Sequence, residues 1–311
     1  MIMSNIEQYI LKNIDISNYS SFHTGGKADL FFYADTVEKL KSILSYVFKN
    51  SIPFFVVGGG TNILFSDKGL RGMLIVNASS EIELFESNIK CSSGVKIENL
   101  MAFCLKHSMA GAEFLTGLPG TIGGAIYGNA GANGFEIANI IEEVELFSNE
   151  KGIFSCDAKC MNFSYRNSIL KMNEDKKVIS ISAKLNLNKG NIEEIKSKMK
   201  KSMVGRVKSH PSKLVNSCGC FFKNPSQLLN GERISAGKLL DLVGAKNIRV
   251  GDACVSKKHC NFLINESNAS SSDIIELAKK LKDIVFKNTG VVLENEVRII
   301  SEEPPFLSVN I

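Results

Sequence analysis

The stretch NSCGCFFKNP, residues 216–225, sets two thiols one residue apart beside two phenylalanines and a lysine. Thiols so placed can chelate a metal, cycle as a redox pair, fill a core, or present one S–H as a proton donor. Cys254, His259 and Cys260 add candidate ligands. Their spacing matches no common zinc pattern, so no metal is expected and a turn packed on a core is the simpler reading. In VVGGGTNIL, residues 56–64, three consecutive glycines expose successive backbone N–H groups. Such a nest suits a pyrophosphate, with a plain tight turn as the alternative. A G-x-G-x-x-G reading fails because its sixth position is Ile63, and G-x-x-x-x-G-K-[ST] is absent. GLPGTIGGAIYGNAGANG, residues 117–134, carries seven glycines but interleaves Leu118, Ile122, Ile126 and Tyr127. Flexible linkers favour serine over such residues, whereas a backbone passing close to a large flat ligand needs this composition. Arg166 in SYRNS and Glu296 in LENEVRII are each bland alone, since an arginine in a turn or a glutamate on a strand is usually solvated.

The elements that must position these groups follow from periodicity. Residues 35–50 place Val37, Leu40, Ile43, Leu44 and Val47 at helical spacing, with Asp35 or Thr36 as cap and Glu38 three residues after Asp35. Strands are expected at FFVV (54–57) and MLIVN (73–77), then alternation at 81–91, a helix at 96–109, a hairpin over 142–156 and a strand at 178–187. A charged helix over 191–211, ended by His-Pro, leads into a second unit. That unit alternates a short strand at CFFK (220–223), a helix at 234–244, a strand at NFLIN (261–265), a helix at 272–288 capped by Gly290, and a strand at 291–300.

A chain of 311 residues with 44% hydrophobic residues holds about two domains. The N-terminal stretch has no basic signal-like region and no apolar run reaches membrane-spanning length, so a cytoplasmic protein without membrane association is expected. All eight cysteines are expected as reduced thiols. The net charge of +5 comes from lysines spread along the chain without interleaved aromatics, which argues against nucleic-acid binding. Only six arginines accompany 31 lysines, which weights each arginine toward a planar, bidentate contact.

Taken in order, SFHTGGKAD (21–29), VVGGGTNILFSDKGLRG (56–72), EFLTGLPGTIGGAIYGNAGANG (113–134), YRNS (165–168), CGCFFKNP (218–225), AGKLLD (236–241), NFLIN (261–265) and ENEVRII (294–300) resemble the UDP-N-acetylenolpyruvoylglucosamine reductase family. The resemblance runs from about residue 18 to 302. It implies an α+β and α/β fold: an FAD-binding region of the p-cresol methylhydroxylase type, residues 1–189, in subdomains of about 18–78 and 79–189, followed by an α/β substrate-binding domain, 190–311. FAD would bind non-covalently, with NADPH as co-substrate and a UDP-sugar as substrate. Carried over by position, Gly58, Gly59, Gly60, Thr61, Asn62 and Ile63 would cradle the pyrophosphate. Gly117, Pro119, Gly120, Gly123, Gly124, Asn129 and Gly131 would line the flavin. Arg166, Cys220 and Glu296 fall on catalytic positions, Lys208 and Asn224 on substrate contacts.

Two departures accompany the resemblance. One class of the family closes over its nucleotide with a tyrosine-bearing loop in the substrate domain, yet all six tyrosines here lie at or before residue 165. The chain therefore resembles the shorter class, and a monomer is the expectation. The family's proton donor is commonly serine, where this chain has Cys220. A thiol of ordinary pKa, about 8.5, is mostly protonated at neutral pH and can donate. The implied reaction is hydride transfer from NADPH through FAD to the methylene carbon of an enolpyruvyl ether, with protonation by Cys220. Alternatives are another FAD oxidoreductase of the same fold and a flavin- or nucleotide-binding protein of altered activity.

Overall fold

The structure, a computed structural model, describes residues 6–85, 88–212, 214–229 and 231–311. The backbone divides into two compact units, each built from three segments: 1–12, 30–59 and 72–206 in the first, 13–29, 60–71 and 207–311 in the second. The expected division at 189/190 does not coincide with these units, whose last change falls at 206/207. Among the described residues no helix is long and apolar enough to cross a membrane.

The first unit holds two hydrophobic cores that share a sheet. Five antiparallel strands run in the order Gly152–Asp157, Ile141–Ser148, Ile179–Leu185, Asn88–Ser92, Ile82–Phe85. Side chains on a strand alternate between faces. Val144, Leu146, Ala183 and Leu185 accordingly join one core with helix Ile97–Lys106 and Phe147 the other with helix Val37–Lys49; Ile181 joins Phe147 because the register of its strand shifts opposite Glu145 and Leu146. That helix buries Leu40, Ile43, Leu44 and Val47, as its spacing requires. Thr36 is its cap, accepting from the Lys39 N–H, while Asp35 pairs instead with the Lys39 ammonium at 2.7 Å. Phe54–Val57 and Leu70–Asn77 lie parallel, Phe54 opposite Met73. The alternation expected over 81–91 is a hairpin on both sides of residues 86–87, which lie outside the described residues.

The second unit packs helix Ser271–Thr289 on the sheet Arg249–Val250, Ala253–Val255, Leu263–Asn265. Ile274, Leu277, Ala278, Leu281 and Val285 form its buried stripe. The Ser270 hydroxyl accepts from the Asp273 N–H, and the Asp273 carboxylate accepts from the Ser270 N–H. Asp67 adds a long-range cap, accepting from the Ser271 N–H at 2.7 Å. Gly290 ends the helix at φ 69°. A second sheet sets Ser308–Val309, Arg298–Ile300 and Ile63–Phe65 side by side, the last two parallel.

Three expectations need correction. CFFK (220–223) is not a strand: it makes only isolated bridges, Cys220 with Phe262 and Phe222 with Asn295. Of 291–300 only Arg298–Ile300 is strand, because the preceding residues spend their backbone groups on the 221–223 segment. Not all cysteines are reduced: Cys156 and Cys160 are disulfide-bonded across the turn after Gly152–Asp157, with Cα atoms 5.4 Å apart, inside the range a disulfide spans. The other six keep their thiols.

Replacing Ser270 with alanine removes one half of the helix cap and should lower stability by ~1 kcal/mol, read as a fall in the urea midpoint at unchanged slope. An unshifted midpoint would mean that Asp67 alone holds this terminus.

Candidate active site

In the first unit the long glycine-rich stretch contains a short helix, Ile122–Tyr127, which its composition does not announce. Its cap Thr121 accepts from the Gly124 N–H, and Ile122, Ala125 and Ile126 are buried. The helix start is fastened to the 93–95 segment by Ile122 N–H to the Val95 carbonyl at 2.9 Å and Gly123 N–H to the Ser93 carbonyl at 2.7 Å. Gly123 is glycine because a Cβ there would lie 3.0 Å from the Ser93 carbonyl. A Cβ on Gly58 would come within 3.2 Å of the Thr121 Cβ and closer still to its hydroxyl, so the two glycine-rich stretches touch within this unit. Gly124 differs: a Cβ there would meet only the Thr121 hydroxyl, at 3.6 Å. Nothing else among the described residues crowds the space its missing side chain leaves.

Arg166 sits beside this helix. Its turn is closed by mutual backbone bonds between Ser164 and Asn167, and the Ser168 hydroxyl, fully buried, donates to the Tyr127 carbonyl at 2.8 Å. Asn129, also fully buried, donates to the Ser164 carbonyl at 2.9 Å and to the Glu136 carboxylate at 2.7 Å. Asn129 is therefore a strut between the glycine stretch and the arginine turn. Arg166 has φ 54°, a left-handed conformation that stores ~1 kcal/mol or more in a non-glycine residue and recurs at sites the surroundings over-determine. Its guanidinium lies over the Tyr165 ring at 5.4 Å, and its carbonyl accepts from Lys171.

In the second unit the loop before Ile63–Phe65 carries the rest of the pyrophosphate candidates. Gly60, at φ 64°, lies so close to the Tyr19 carbonyl that no Cβ fits. Cys218 is buried and its thiol donates to the Ile63 carbonyl at 3.3 Å, with the Gly60 carbonyl at 3.7 Å. Burial pushes this thiol up to about 12. It is a protonated donor that pins the glycine loop. The Asn62 side chain donates to the Glu296 carbonyl at 3.2 Å, and Arg298 N–H returns a bond to the Asn62 carbonyl at 3.0 Å.

Cys220 is half-buried and bridges Phe262. Glu296, also half-buried, donates its N–H to the Phe221 carbonyl at 2.7 Å. The proton-donor and carboxylate candidates thus hang on the same residue, Phe221. Asn224 is exposed, and its side-chain carbonyl caps helix Ala236–Leu242 by accepting from the Ala236 N–H at 3.0 Å. Lys208 is exposed near the end of helix Ile192–Ser209. The remaining metal-ligand candidates diverge: the Cys260 thiol donates to Asp241 at 3.4 Å, while the His259 ring stacks on His210 at 5.5 Å. Burial lowers the His259 pKa, which keeps the ring neutral. Among the described residues no three metal-ligating side chains converge.

Residues 28–156 match the family model described as FAD binding domain. Residues 210–300 match that of the UDP-N-acetylenolpyruvoylglucosamine reductase C-terminal domain. Fold and loops together define a flavoprotein: an FAD-binding domain joined to a second α/β unit. The chain is 37% identical over 290 residues to UDP-N-acetylenolpyruvoylglucosamine reductase of Clostridioides difficile, covering 93% of this chain and 92% of that protein. It is 35% identical over 292 residues to that of Caldanaerobacter subterraneus, covering 94% and 93%. The crystal structure of UDP-N-acetylenolpyruvylglucosamine reductase from Thermus caldophilus superposes with a TM-score of 0.76 at 30% identity, over 93% of this chain and 97% of that one. The chain belongs to the UDP-N-acetylenolpyruvoylglucosamine reductase family.

The residues present fit FAD. Thr116, at the head of the GLPG turn, buries a hydroxyl oxygen with no partner among the described residues, a polar group that a ligand would satisfy. The space beside Gly124 admits a flat group against helix Ile122–Tyr127.

The Cys218 thiol carries a pH prediction. The folded protein keeps its proton up to about pH 12, whereas a free thiol releases it near 9.0. Unfolding between these values releases a proton, so stability is full below the lower value and falls as pH rises, by ~1.4 kcal/mol per pH unit. Cys218→Ser keeps a hydroxyl donor but removes the titration. Its unfolding free energy should fall less steeply with alkaline pH, by about one proton; an unchanged slope would show that the thiol does not titrate as a buried group.

Proposed function

We propose that this chain reduces the enolpyruvyl ether of UDP-N-acetylglucosamine enolpyruvate to UDP-N-acetylmuramate, a step in peptidoglycan precursor synthesis, with NADPH as reductant. Residues 1–189 serve the flavin and 190–311 the substrate. The observation that carries the reading is the suspension of Cys220 and Glu296 from one backbone residue, Phe221. It brings a thiol-bearing and a carboxylate-bearing segment to one point of the backbone, in a chain whose relatives carry the reductase name.

FAD, when bound, supplies the hydride it receives from NADPH to the methylene carbon. The C=C electron pair then moves toward the neighbouring carbon and its carboxylate, and the protein must hold that charge until a proton arrives. Arg166 presents a planar guanidinium suited to carboxylate oxygens, and a preorganised donor aimed at developing charge is worth roughly 3–4 kcal/mol. Its left-handed backbone and the Asn129 strut fix the turn from which it reaches. Glu296, fastened through its N–H to Phe221 and its carbonyl to Asn62, polarises the substrate carboxyl group. Cys220 gives its thiol proton to the substrate carbon, and the resulting thiolate is reprotonated by solvent. Lys208 and Asn224 take the anionic and polar parts of the UDP-sugar. In Asn224 the side-chain carbonyl also accepts from the Ala236 N–H, which fixes the side chain at the start of helix Ala236–Leu242.

Purified protein should be yellow, bleach with NADPH under anaerobic conditions and recover colour on adding the enolpyruvyl substrate. A protein that bleaches but never recovers would be an FAD oxidoreductase of another specificity. Arg166→Lys and Glu296→Gln should slow recovery by about a hundredfold while leaving bleaching within about twofold, the signature of interactions made only in the second transition state. Equal losses in both half-reactions would reassign them.

Cys220 predicts a pH dependence with a definite sign. A thiol donor works while protonated, so the recovery rate should be lost as pH rises through the thiol pKa. Cys220→Ser should move that limit upward, and Cys220→Ala should leave bleaching intact while slowing recovery. Full recovery rates in Cys220→Ala would remove the thiol from the chemistry.

A further inference from the structure

Asn261 lies two residues after His259 and is only 2% exposed. Every one of its polar groups has a partner. Its side-chain oxygen accepts from the Phe222 N–H at 2.9 Å, and its side-chain nitrogen donates to the Phe222 carbonyl at 2.8 Å. Its backbone carbonyl accepts from the Phe221 N–H at 2.7 Å, and its own N–H donates to His259 Nδ1 at 3.2 Å. The amide side chain therefore takes the place of a neighbouring strand for Phe222. No strand does so, since 220–223 has only isolated bridges on this side and the other. On the far side Phe221 receives the Glu296 N–H, and Lys223 N–H bonds the Glu294 carbonyl at 2.9 Å.

We propose that Asn261 is a positioning residue for proton delivery: its two-point clamp on Phe222 sets where Cys220 stands relative to Glu296. The physical ground is that a buried donor and acceptor on one residue must both be paired, and a carboxamide is the neutral side chain that presents both at one site. Loss of the clamp frees the segment carrying Cys220 while the fold's cores remain intact. Misplacement by even an ångström lowers a positioned proton transfer far more than it lowers stability. The inference rests on the reading of Cys220 as the proton donor.

The test is Asn261→Asp in the FAD-loaded protein, with each half-reaction followed by anaerobic stopped flow across pH and the melting temperature measured at each pH. The introduced carboxylate, when ionised, accepts from the Phe222 N–H but confronts the Phe222 carbonyl with a second acceptor. When protonated it restores both bonds, and burial raises the pH at which that proton is held. At neutral pH the variant should show recovery by substrate slowed about 10- to 100-fold. Bleaching by NADPH should stay near wild type, and recovery should climb back as pH falls. Asn261→Ser, which introduces no charge, should show the same split without the rescue at low pH, and it serves if the aspartate variant does not fold. Parallel slowing of both half-reactions that tracks the melting temperature would make Asn261 a residue of the fold only. Wild-type recovery in both variants, with Cys220→Ala still blocked, would overturn the positioning role and leave the proton donor standing. Recovery at full rate in Cys220→Ala would overturn both readings together.

Discussion

The parallel pairing of Ile63–Phe65 with Arg298–Ile300 is the contact on which the second unit's site depends. Parallel strands cannot be joined by a tight turn and need a crossover connection; here the connection is most of the chain. The entropy of closing so long a loop grows only logarithmically with its length, so the pairing costs little more than a shorter one would. What it achieves is specific. It carries the glycine loop to the segment just before Arg298–Ile300, where the Asn62 side chain bonds the Glu296 carbonyl. It also presents the Gly60 and Ile63 carbonyls to the Cys218 thiol. Cys220 follows two residues later and is aligned by the same anchorage.

Around that pairing, backbone hydrogen bonding settles the rest. Phe221 and Phe222 are fully enclosed, and their polar groups have no water to turn to. The 261 and 294–297 segments therefore supply the partners, one from each side. This explains why ENEVRII is not strand until Arg298: Glu294 gives its carbonyl, and Glu296 and Val297 their N–H groups, to 221–223. Strand pattern in the sequence is here a true sign of burial of alternate residues on one side, as Val291, Leu293, Asn295 and Val297 show. It is a false sign of a ladder, because ladders require a neighbour of matching length.

Legibility in the sequence follows the same logic. Helices 37–49 and 271–289 are legible because one buried stripe repeats over three turns or more, and the caps stand beside it. Helix Ile122–Tyr127 is hidden because it is short and contains two glycines, which disfavour helix; its Thr121 cap and its packing on Ser93 override that preference. The candidate positions Arg166, Cys220 and Glu296 are legible only through the motifs that carry them. Asn129 and Asn261 show what composition conceals. Asn129, expected along the flavin, is also a buried strut between two turns, and Asn261, expected within a strand, holds Phe222 through its side chain. The signal available for Asn261 is a polar residue inside the apolar run CNFLI, which a buried segment tolerates only when the side chain is fully bonded.

The two cysteines of the CGC motif resolve the same way. In an extended chain residues i and i+2 face the same side, and two thiols so placed would share one environment. Gly219 stands between them at φ 81°, a conformation closed to most side chains, and a Cβ on it would meet no protein atom within 4 Å. The glycine is there for its backbone freedom rather than for space. Turning the chain at Gly219 breaks the alternation. One thiol goes into the core, where burial holds its proton and a carbonyl receives the S–H. The other stays half-exposed on the segment that Asn261 clamps. Identical side chains thus acquire different environments across a single left-handed residue. Cys218 is committed as a protonated donor to backbone carbonyls, while Cys220 is the thiol of the pair that keeps partial exposure.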